Sequence, residues 1–113
     1  MIDEQKLLHN LKKRNRNSLD DIIKIYTPYV SVIVYNTVGC KLSKEDMEEI
    51  ISDTFFLLWQ NSLNIDETKG NMRSYLATIA RNTSKNKLRK YHSNEVLNEQ
   101  IISSDLTPQD NII

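Results

Sequence analysis

The sequence predicts an all-α fold, a compact bundle of four helices with a C-terminal linker. The chain has 113 residues, of which 39% are hydrophobic, so its length suits one small domain rather than two. It contains two glycines and two prolines, too few for the turns that a strand-rich fold needs roughly every ten residues. Apolar residues also recur at the three- and four-residue spacing of amphipathic helices. These observations together favour helices throughout.

Two helices are predicted in the first 40 residues. Asp3 opens a short first helix, and a basic polar run ends it. Ser18 and Asp21 have the spacing of a capping box, so a second helix is predicted to begin there and to end at Gly39. Pro28 lies inside this helix, where it is expected to remove a backbone hydrogen bond and bend the helix. The predicted apolar stripe is Leu19, Ile22, Ile23, Tyr26, Val30, Ile33 and Thr37.

A third helix is predicted to begin at Ser43, because Ser43 and Asp46 repeat the capping-box spacing. One side of this helix is apolar and the other is acidic. Glu45, Glu49 and Asp53 are four residues apart and therefore form one row. Like charges at this spacing destabilise an isolated helix by roughly a few tenths of a kcal/mol per pair. A basic partner surface would compensate for that cost.

Residues 62–72 form a polar connector, and a fourth helix is predicted from about Arg73 to Tyr91. Cations recur every four residues on one side of this helix, with asparagines one position further round. Regularly spaced cations match phosphates, and an asparagine can read a base edge, so this side suits a nucleic-acid groove or a separated strand. The side chains concerned are Arg81, Lys85 and Arg89, with Asn82 and Asn86.

The net charge is zero, but it is unevenly distributed along the chain. The segments 1–40, 41–70, 71–92 and 93–113 carry net charges of +2, −4, +6 and −4. Two interpretations follow from this pattern. The acidic and basic segments form two surfaces that bind two different partners, or they attract one another within the molecule.

Several classes of function are disfavoured by the composition. No apolar run approaches the roughly 18 residues of a membrane-spanning helix, and no signal peptide is evident, so a cytoplasmic protein without a membrane partner is expected. The chain has a single cysteine, two distant histidines and no glycine-rich phosphate loop. The sequence therefore indicates neither a metal site nor a catalytic nucleophile. We therefore expect no enzymatic activity, no cofactor and no small-molecule substrate.

The order of these elements resembles the second conserved domain of extracytoplasmic-function sigma factors, small alternative sigma subunits of bacterial RNA polymerase. The resemblance runs from about residue 3 to residue 91 and is strongest in two places. One is GNMRSYLATIARN at 70–82, followed by KNKLRK at 85–90. The other is DMEEIISDTF at 46–55 with Leu58 and Trp59, which is similar to the family's acidic helix that ends in an aromatic residue. Met72 and Tyr75 stand where the family more often has Phe and Trp, and Asn86 stands where many members have Asp.

The resemblance implies a division of the chain into a region-two domain at 1–92 and an acidic, polar linker at 93–113. The linker is expected to lead to a helix-turn-helix domain for the −35 element, which the chain lacks. The acidic helix is expected to bind the coiled coil of the β′ clamp in the RNA polymerase core. The residues implied in polymerase binding are Glu45, Asp46, Glu48, Glu49, Asp53, Phe56 and Gln60.

The fourth helix is expected to recognise and melt the promoter −10 element by capturing bases of the single-stranded non-template strand. The implied DNA-binding residues are Arg73, Arg81, Asn82, Lys85, Asn86, Arg89 and Lys90. The loop that is expected to receive a flipped base consists of Leu63, Asn64, Ile65, Asp66, Lys69, Gly70 and Asn71.

The resemblance also implies a monomer and, as a further partner, an anti-sigma factor. An alternative function from another class is a helical protein-interaction module, a regulator whose acidic and basic faces bind proteins and no DNA. A small hydrolase or nuclease is disfavoured because no acid, base or metal ligands converge.

Overall fold

The computed structural model describes the backbone of residues 3–99 and the side chains up to residue 93, and it confirms the all-α class. α4 packs against both α2 and α3, while α1 packs against α2. No helix within the described residues is long and apolar enough to cross a membrane. The helices are α1 (Glu4–Lys12), α2 (Arg16–Val38), α3 (Lys44–Gln60) and α4 (Met72–Glu99), with a 3₁₀ turn at Ser62–Asn64.

The starts of α1 and α3 are capped as predicted. The Asp3 carboxylate accepts a hydrogen bond from the Lys6 N–H at 3.1 Å, and the Ser43 hydroxyl accepts one from the Asp46 N–H at 3.1 Å. Each bond satisfies an N–H group that the first helical turn leaves unpaired. Gly39 follows the end of α2 with φ of 61°, a backbone conformation that favours glycine.

The start predicted for α2 is wrong by two residues. α2 begins at Arg16, and the side chain of Asn15 caps it by accepting a hydrogen bond from the Asn17 N–H at 2.9 Å. Ser18 is buried, and its hydroxyl donates to the backbone carbonyl of Leu7 at 2.7 Å. The capping-box spacing is therefore coincidental, because Asn15 supplies a cap earlier in the chain and Ser18 joins α2 to α1.

The buried stripe of α2 differs from the prediction in its second half. Up to Val30 the predicted residues lie in the core or pack against it. Beyond that point the fully buried residues are Val34 and Val38, whereas Ile33 and Thr37 are half-buried. A row of residues four apart faces the neighbouring helices because α2 packs against both α3 and α4. Pro28 lies inside α2 as predicted, and the helix continues through it.

The fourth helix is longer than predicted. α4 starts at Met72 and runs to Glu99, well past the predicted end at Tyr91. The residues 93–99, which the prediction places in the linker, are therefore helical. The rest of the predicted linker, residues 100–113, lies outside the described residues, and the division into domain and linker stays a prediction.

Candidate nucleic-acid interface

The central part of α4 presents a polar, basic surface. Arg81, Asn82 and Lys85 are all exposed, and within the described residues their side chains make no hydrogen bond or ion pair. Asn82 lies one helical turn beyond Thr78, so the two side chains share one side of the helix. These cationic and amide groups are therefore free to contact a ligand. The strand-binding face, as we define it, consists of Arg81, Asn82, Lys85, Asn86, Arg89 and Lys90.

The C-terminal part of the strand-binding face contains an internal hydrogen bond. The Arg89 guanidinium donates to the side-chain oxygen of Asn86. Together with Lys90 and Ser93, these two residues line a shallow depression of about 390 Å³. The acceptor of Asn86 is thus already engaged, whereas its N–H₂ group is not. Asn82 is the amide on this face whose donor and acceptor are both available.

One cation of α4 is directed at α3 instead. The Lys87 ammonium donates a hydrogen bond to the Glu49 carboxylate and lies 3.7 Å from a carboxylate oxygen of Asp46. The hydrogen bond to Glu49 raises the pKa of Lys87, and the nearby carboxylate charges support the same direction. Part of the attraction between the acidic and basic segments is therefore internal, and Asp46 and Glu49 already have a basic partner.

The remaining acidic side chains of α3 are exposed. Glu45, Glu48 and Asp53 form no ion pair in the described part of the chain. Phe56 is 57% exposed beside them, and Gln60 is exposed one turn further along α3. The charge of Asp53 also raises the pKa of Lys87, so Asp53 belongs with the group that faces α4, whereas Glu45, Glu48, Phe56 and Gln60 face outward.

An apolar groove of about 750 Å³ lies between α2 and α3. Glu48 and Phe56 lie on its α3 wall, so the exposed part of the acidic surface borders an apolar cleft. Sequence patterns did not indicate this groove, because it depends on how α2 and α3 pair. Its other lining residues are Arg16, Leu19, Ile23, Thr27 and Ser31 from α2, and Ile51, Ser52, Phe55 and Trp59 from α3.

A second pocket, of about 550 Å³, lies between the connector and α4. Its connector wall contains most of the residues implied in base capture, whereas Leu63 and Asn71 do not line it. Ile65 is 92% buried and belongs to the hydrophobic core, so it connects the pocket wall with the core. The lining residues are Leu58, Asn61, Asn64, Ile65, Asp66, Lys69, Gly70, Tyr75, Thr78 and Ile79.

The shape of this pocket depends on hydrogen bonds within the connector. The Tyr75 hydroxyl lies within hydrogen-bonding reach of the backbone carbonyls of Asp66 and Lys69. The Asp66 carboxylate accepts hydrogen bonds from the Thr68 N–H at 2.9 Å and hydroxyl at 2.6 Å, and these bonds lower the pKa of Asp66. Gly70 has φ of 71°, so the chain turns there in the left-handed region.

Asn71 acts as a helix cap rather than as part of the pocket wall. Its side-chain oxygen accepts hydrogen bonds from the Ser74 N–H at 2.8 Å and from the Ser74 hydroxyl at 2.9 Å. The Glu4 carboxylate also reaches the start of α4 and accepts from the Met72 N–H at 3.3 Å. Glu4 accepts as well from the Tyr26 hydroxyl at 3.0 Å, and burial together with this carboxylate raises the pKa of Tyr26 to about 12.

Arg73, at the first turn of α4, is held against α2. Its guanidinium lies over the Tyr29 ring, 5.1 Å from the ring centre, and the Tyr29 hydroxyl donates to the Arg73 carbonyl at 3.4 Å. Arg73 is nevertheless exposed, and in sequence it precedes the α4 residues that line the pocket, whereas the strand-binding face follows them. Because Arg73 is held by α2, we do not include it in the strand-binding face.

Two residues that sequence patterns did not single out contact the connector. Lys12 donates to the backbone carbonyl of Ile65, and Arg14 donates to the Ser62 hydroxyl. Both contacts cross more than 40 residues of sequence, so local spacing gave no signal for them. Among the described residues, no group of three or more His, Cys, Asp or Glu side chains could hold a metal ion.

Comparison with known protein families gives a match. A family model described as Sigma-70 region 2 matches residues 22–93, more than half of the chain. The matched span includes α3, the connector and most of α2 and α4, whereas α1 lies outside it. No curated protein and no solved structure matches the chain significantly.

Proposed function

We propose, because the chain belongs to the Sigma-70 region 2 family, that it binds the RNA polymerase core through α3 and captures the non-template strand of the −10 element on α4. Members of this family are non-enzymatic sigma-factor domains of transcription initiation, and their partners are RNA polymerase and promoter DNA. We further propose the extracytoplasmic-function subtype and the roles of the individual faces and residues.

The observation that carries the proposal is the position of the connector pocket beside the strand-binding face. A base that leaves the stack costs a few kcal/mol, which must be offset by contacts in a pocket and by neutralised phosphates. The pocket between the connector and α4 is lined mainly by apolar groups, including Ile79 and the Tyr75 ring, against which such a base can pack. Arg81 and Lys85 stand nearby to hold phosphates, and Asn82 supplies a free amide for a base edge.

The polymerase core is proposed to bind the outward side of α3. An apolar groove bordered by exposed carboxylates suits a helix that carries apolar anchors and basic flanking residues. Glu45 and Glu48 supply the charge that steers association, and Phe56 supplies apolar area. Asp46 and Glu49 contribute less than the sequence implies, since Lys87 already occupies them.

The test separates base reading from phosphate binding. Asn82→Ala is expected to weaken binding to a preferred −10 strand by roughly 1–3 kcal/mol, with much less effect on a scrambled strand. The matched variant Lys85→Ala is expected to weaken both strands about equally and to lower the log–log salt slope by roughly 0.7. Fluorescence-anisotropy titrations at two salt concentrations measure both quantities.

Equal weakening of both strands by Asn82→Ala would contradict the base-reading role and leave α4 as a non-specific strand-binding surface. A chain that binds neither strand but binds the polymerase clamp would instead support the protein-interaction alternative. Wild-type binding of the preferred strand, measured first, decides between these outcomes.

A further inference from the structure

α1 lies outside the span matched by the family model, yet it contacts the connector at both ends. Lys12 and Arg14 reach the residues that follow α3, and Glu4 reaches the Met72 N–H at the start of α4. We propose that Lys12 and Arg14 are positioning residues that set the shape of the connector pocket and thereby its preference for a captured base. This inference rests on the proposed function.

Arg14 stabilises the junction between α3 and the connector. Its guanidinium donates to the Trp59 carbonyl at 2.5 Å and to the Ser62 hydroxyl at 3.1 Å, and it lies 3.8 Å from the centre of the Trp59 ring. The last carbonyls of a helix lack partners within the helix and carry partial negative charge, so a guanidinium suits them. Ser62 is fully buried and itself donates to the Trp59 carbonyl at 2.9 Å. The junction between α3 and the connector is thus held by three hydrogen bonds and one ring contact.

The backbone of Arg14 is adapted to this contact. Arg14 has φ of 65°, and no other non-glycine residue has a positive φ among the described residues. A side chain in this conformation costs of order 1 kcal/mol, and such a conformation persists where surrounding contacts stabilise it. The contacts of the guanidinium with Trp59 and Ser62 provide that stabilisation.

Lys12 stabilises the wall of the pocket itself. Its ammonium donates to the Ile65 carbonyl at 2.5 Å and lies 3.7 Å from the Glu67 carboxylate, with 25% of the side chain exposed. Ile65 is buried and lines the connector pocket, so this bond places the backbone of the wall relative to α1. Glu67 also lies 3.8 Å from the His9 ring, which adds a second α1 contact to the same turn of the connector.

Neither Lys12 nor Arg14 lines the pocket or lies on the strand-binding face. They are therefore expected to act on base preference through the connector and not by touching the strand. A displacement of a recognition loop by about 1 Å is enough to lose much of its selectivity.

The experiment uses the full chain with the variants Lys12→Met and Arg14→Met. The matched control is Lys13→Met, which removes the same charge from the neighbouring position. The Lys13 side chain is exposed and makes no hydrogen bond, ion pair or ring contact in the described residues. Each protein is titrated by fluorescence anisotropy with a −10 strand and with copies of it that carry an abasic site at successive positions. The measured quantity is the largest ratio of abasic to intact dissociation constants, at a temperature where circular dichroism shows the protein folded.

We expect Lys12→Met and Arg14→Met each to reduce this ratio about tenfold, while the salt slope stays unchanged and Lys13→Met behaves as the wild type. Arg14→Lys keeps the charge but loses the planar guanidinium, so it is expected to restore only part of the ratio. A purely structural role would lower the unfolding midpoint and leave the ratio of the folded protein unchanged. If Arg14→Met does not fold, Lys12→Met and Arg14→Lys decide.

An unchanged ratio in folded Lys12→Met, beside a wild-type ratio above one, overturns this inference and leaves the proposed function intact. Equal weakening of all strands with a smaller salt slope also overturns it, because Lys12 would then bind a phosphate. A wild-type ratio of one overturns the proposed base capture itself.

Discussion

Two buried serines differ in whether their hydroxyl groups have hydrogen-bond partners. Ser84 on α4 is fully buried, and among the described residues its hydroxyl has no partner. Ser62 is equally buried, but its hydroxyl donates to the Trp59 carbonyl and accepts from Arg14. A buried polar group without a partner destabilises the folded state, whereas removal of one member of a hydrogen-bonded pair leaves the other member unsatisfied.

Ser84→Ala is therefore expected to raise the free energy of unfolding by about 1 kcal/mol. Ser62→Ala, the matched control, is expected to lower it by about 1–2 kcal/mol, because the Arg14 donor loses an acceptor. Urea unfolding followed by circular dichroism measures both changes. A loss of stability in Ser84→Ala would show that its hydroxyl has a partner in solution.

At the scale of helices, the number and order of the helices can be predicted from the local sequence, but some of the helix ends cannot. Ser43 caps α3 as its spacing predicts, since no nearby residue competes for the role. Ser18 has the same spacing but lies inside α2, because Asn15 caps the helix first and the Leu7 carbonyl accepts the Ser18 hydroxyl. The far end of α4 could not be predicted from periodicity, because the sequence beyond Tyr91 is polar and has no apolar stripe at helical spacing.

The candidate site shows the same limit. The exposed cations and Asn82 could be predicted, because four-residue spacing places them on one side of α4. The pairing of Lys87 with Glu49 and the contacts of Arg14 could not be predicted, because each joins elements far apart in sequence. The resemblance implies a role for Asn71 in base capture, whereas its side chain accepts a hydrogen bond from the Ser74 N–H and caps α4. This cap is evident only in the structure.

The outward side of α3 gives a prediction at this scale. Glu45→Lys together with Glu48→Lys is expected to slow association with a β′ clamp fragment about tenfold, because exposed charges act mainly on the association rate. Asp20→Lys, an exposed charge reversal on α2, is the control and should leave the rate unchanged. Surface plasmon resonance gives both rates. An unaltered association rate in the double variant would mean that the polymerase does not approach this side of α3.

Glu49 is unsuitable for the same test. A lysine at that position would face Lys87, so a change in binding would be mixed with a disturbed contact between α3 and α4. Its pair with Lys87 lies near the surface, where such pairs contribute little to stability, typically below about 1 kcal/mol.

At the scale of the whole molecule, the described chain is elongated. Its dimensions are 53 × 25 × 19 Å and its radius of gyration is 16.6 Å, against about 13 Å for a compact chain of about 100 residues. The cause is α4, whose 28 residues extend for about 42 Å. The strand-binding face, at residues 81–90, occupies a track of about 14 Å along this helix.

Cations along this track should contribute unequally to salt-dependent binding. Lys90→Met is expected to lower the log–log salt slope for a −10 strand by roughly 0.7, the value for one single-strand phosphate contact. Lys87→Met removes the same charge three residues earlier, but we expect no change in slope because Lys87 is engaged by α3. Anisotropy titrations between low and moderate salt measure the slopes. Equal changes in both variants would show that Lys87 leaves Glu49 when the strand binds.

The stacking of Arg14 on Trp59 has an optical consequence. Trp59 is the only tryptophan in the chain, so its emission spectrum comes from a single place in the molecule. That place adjoins the apolar groove on one side and the first residue of the connector on the other. An indole beside a cation and an open cleft changes its emission when either neighbour moves. The unlabelled protein thus contains its own fluorescent reporter of a ligand entering the groove.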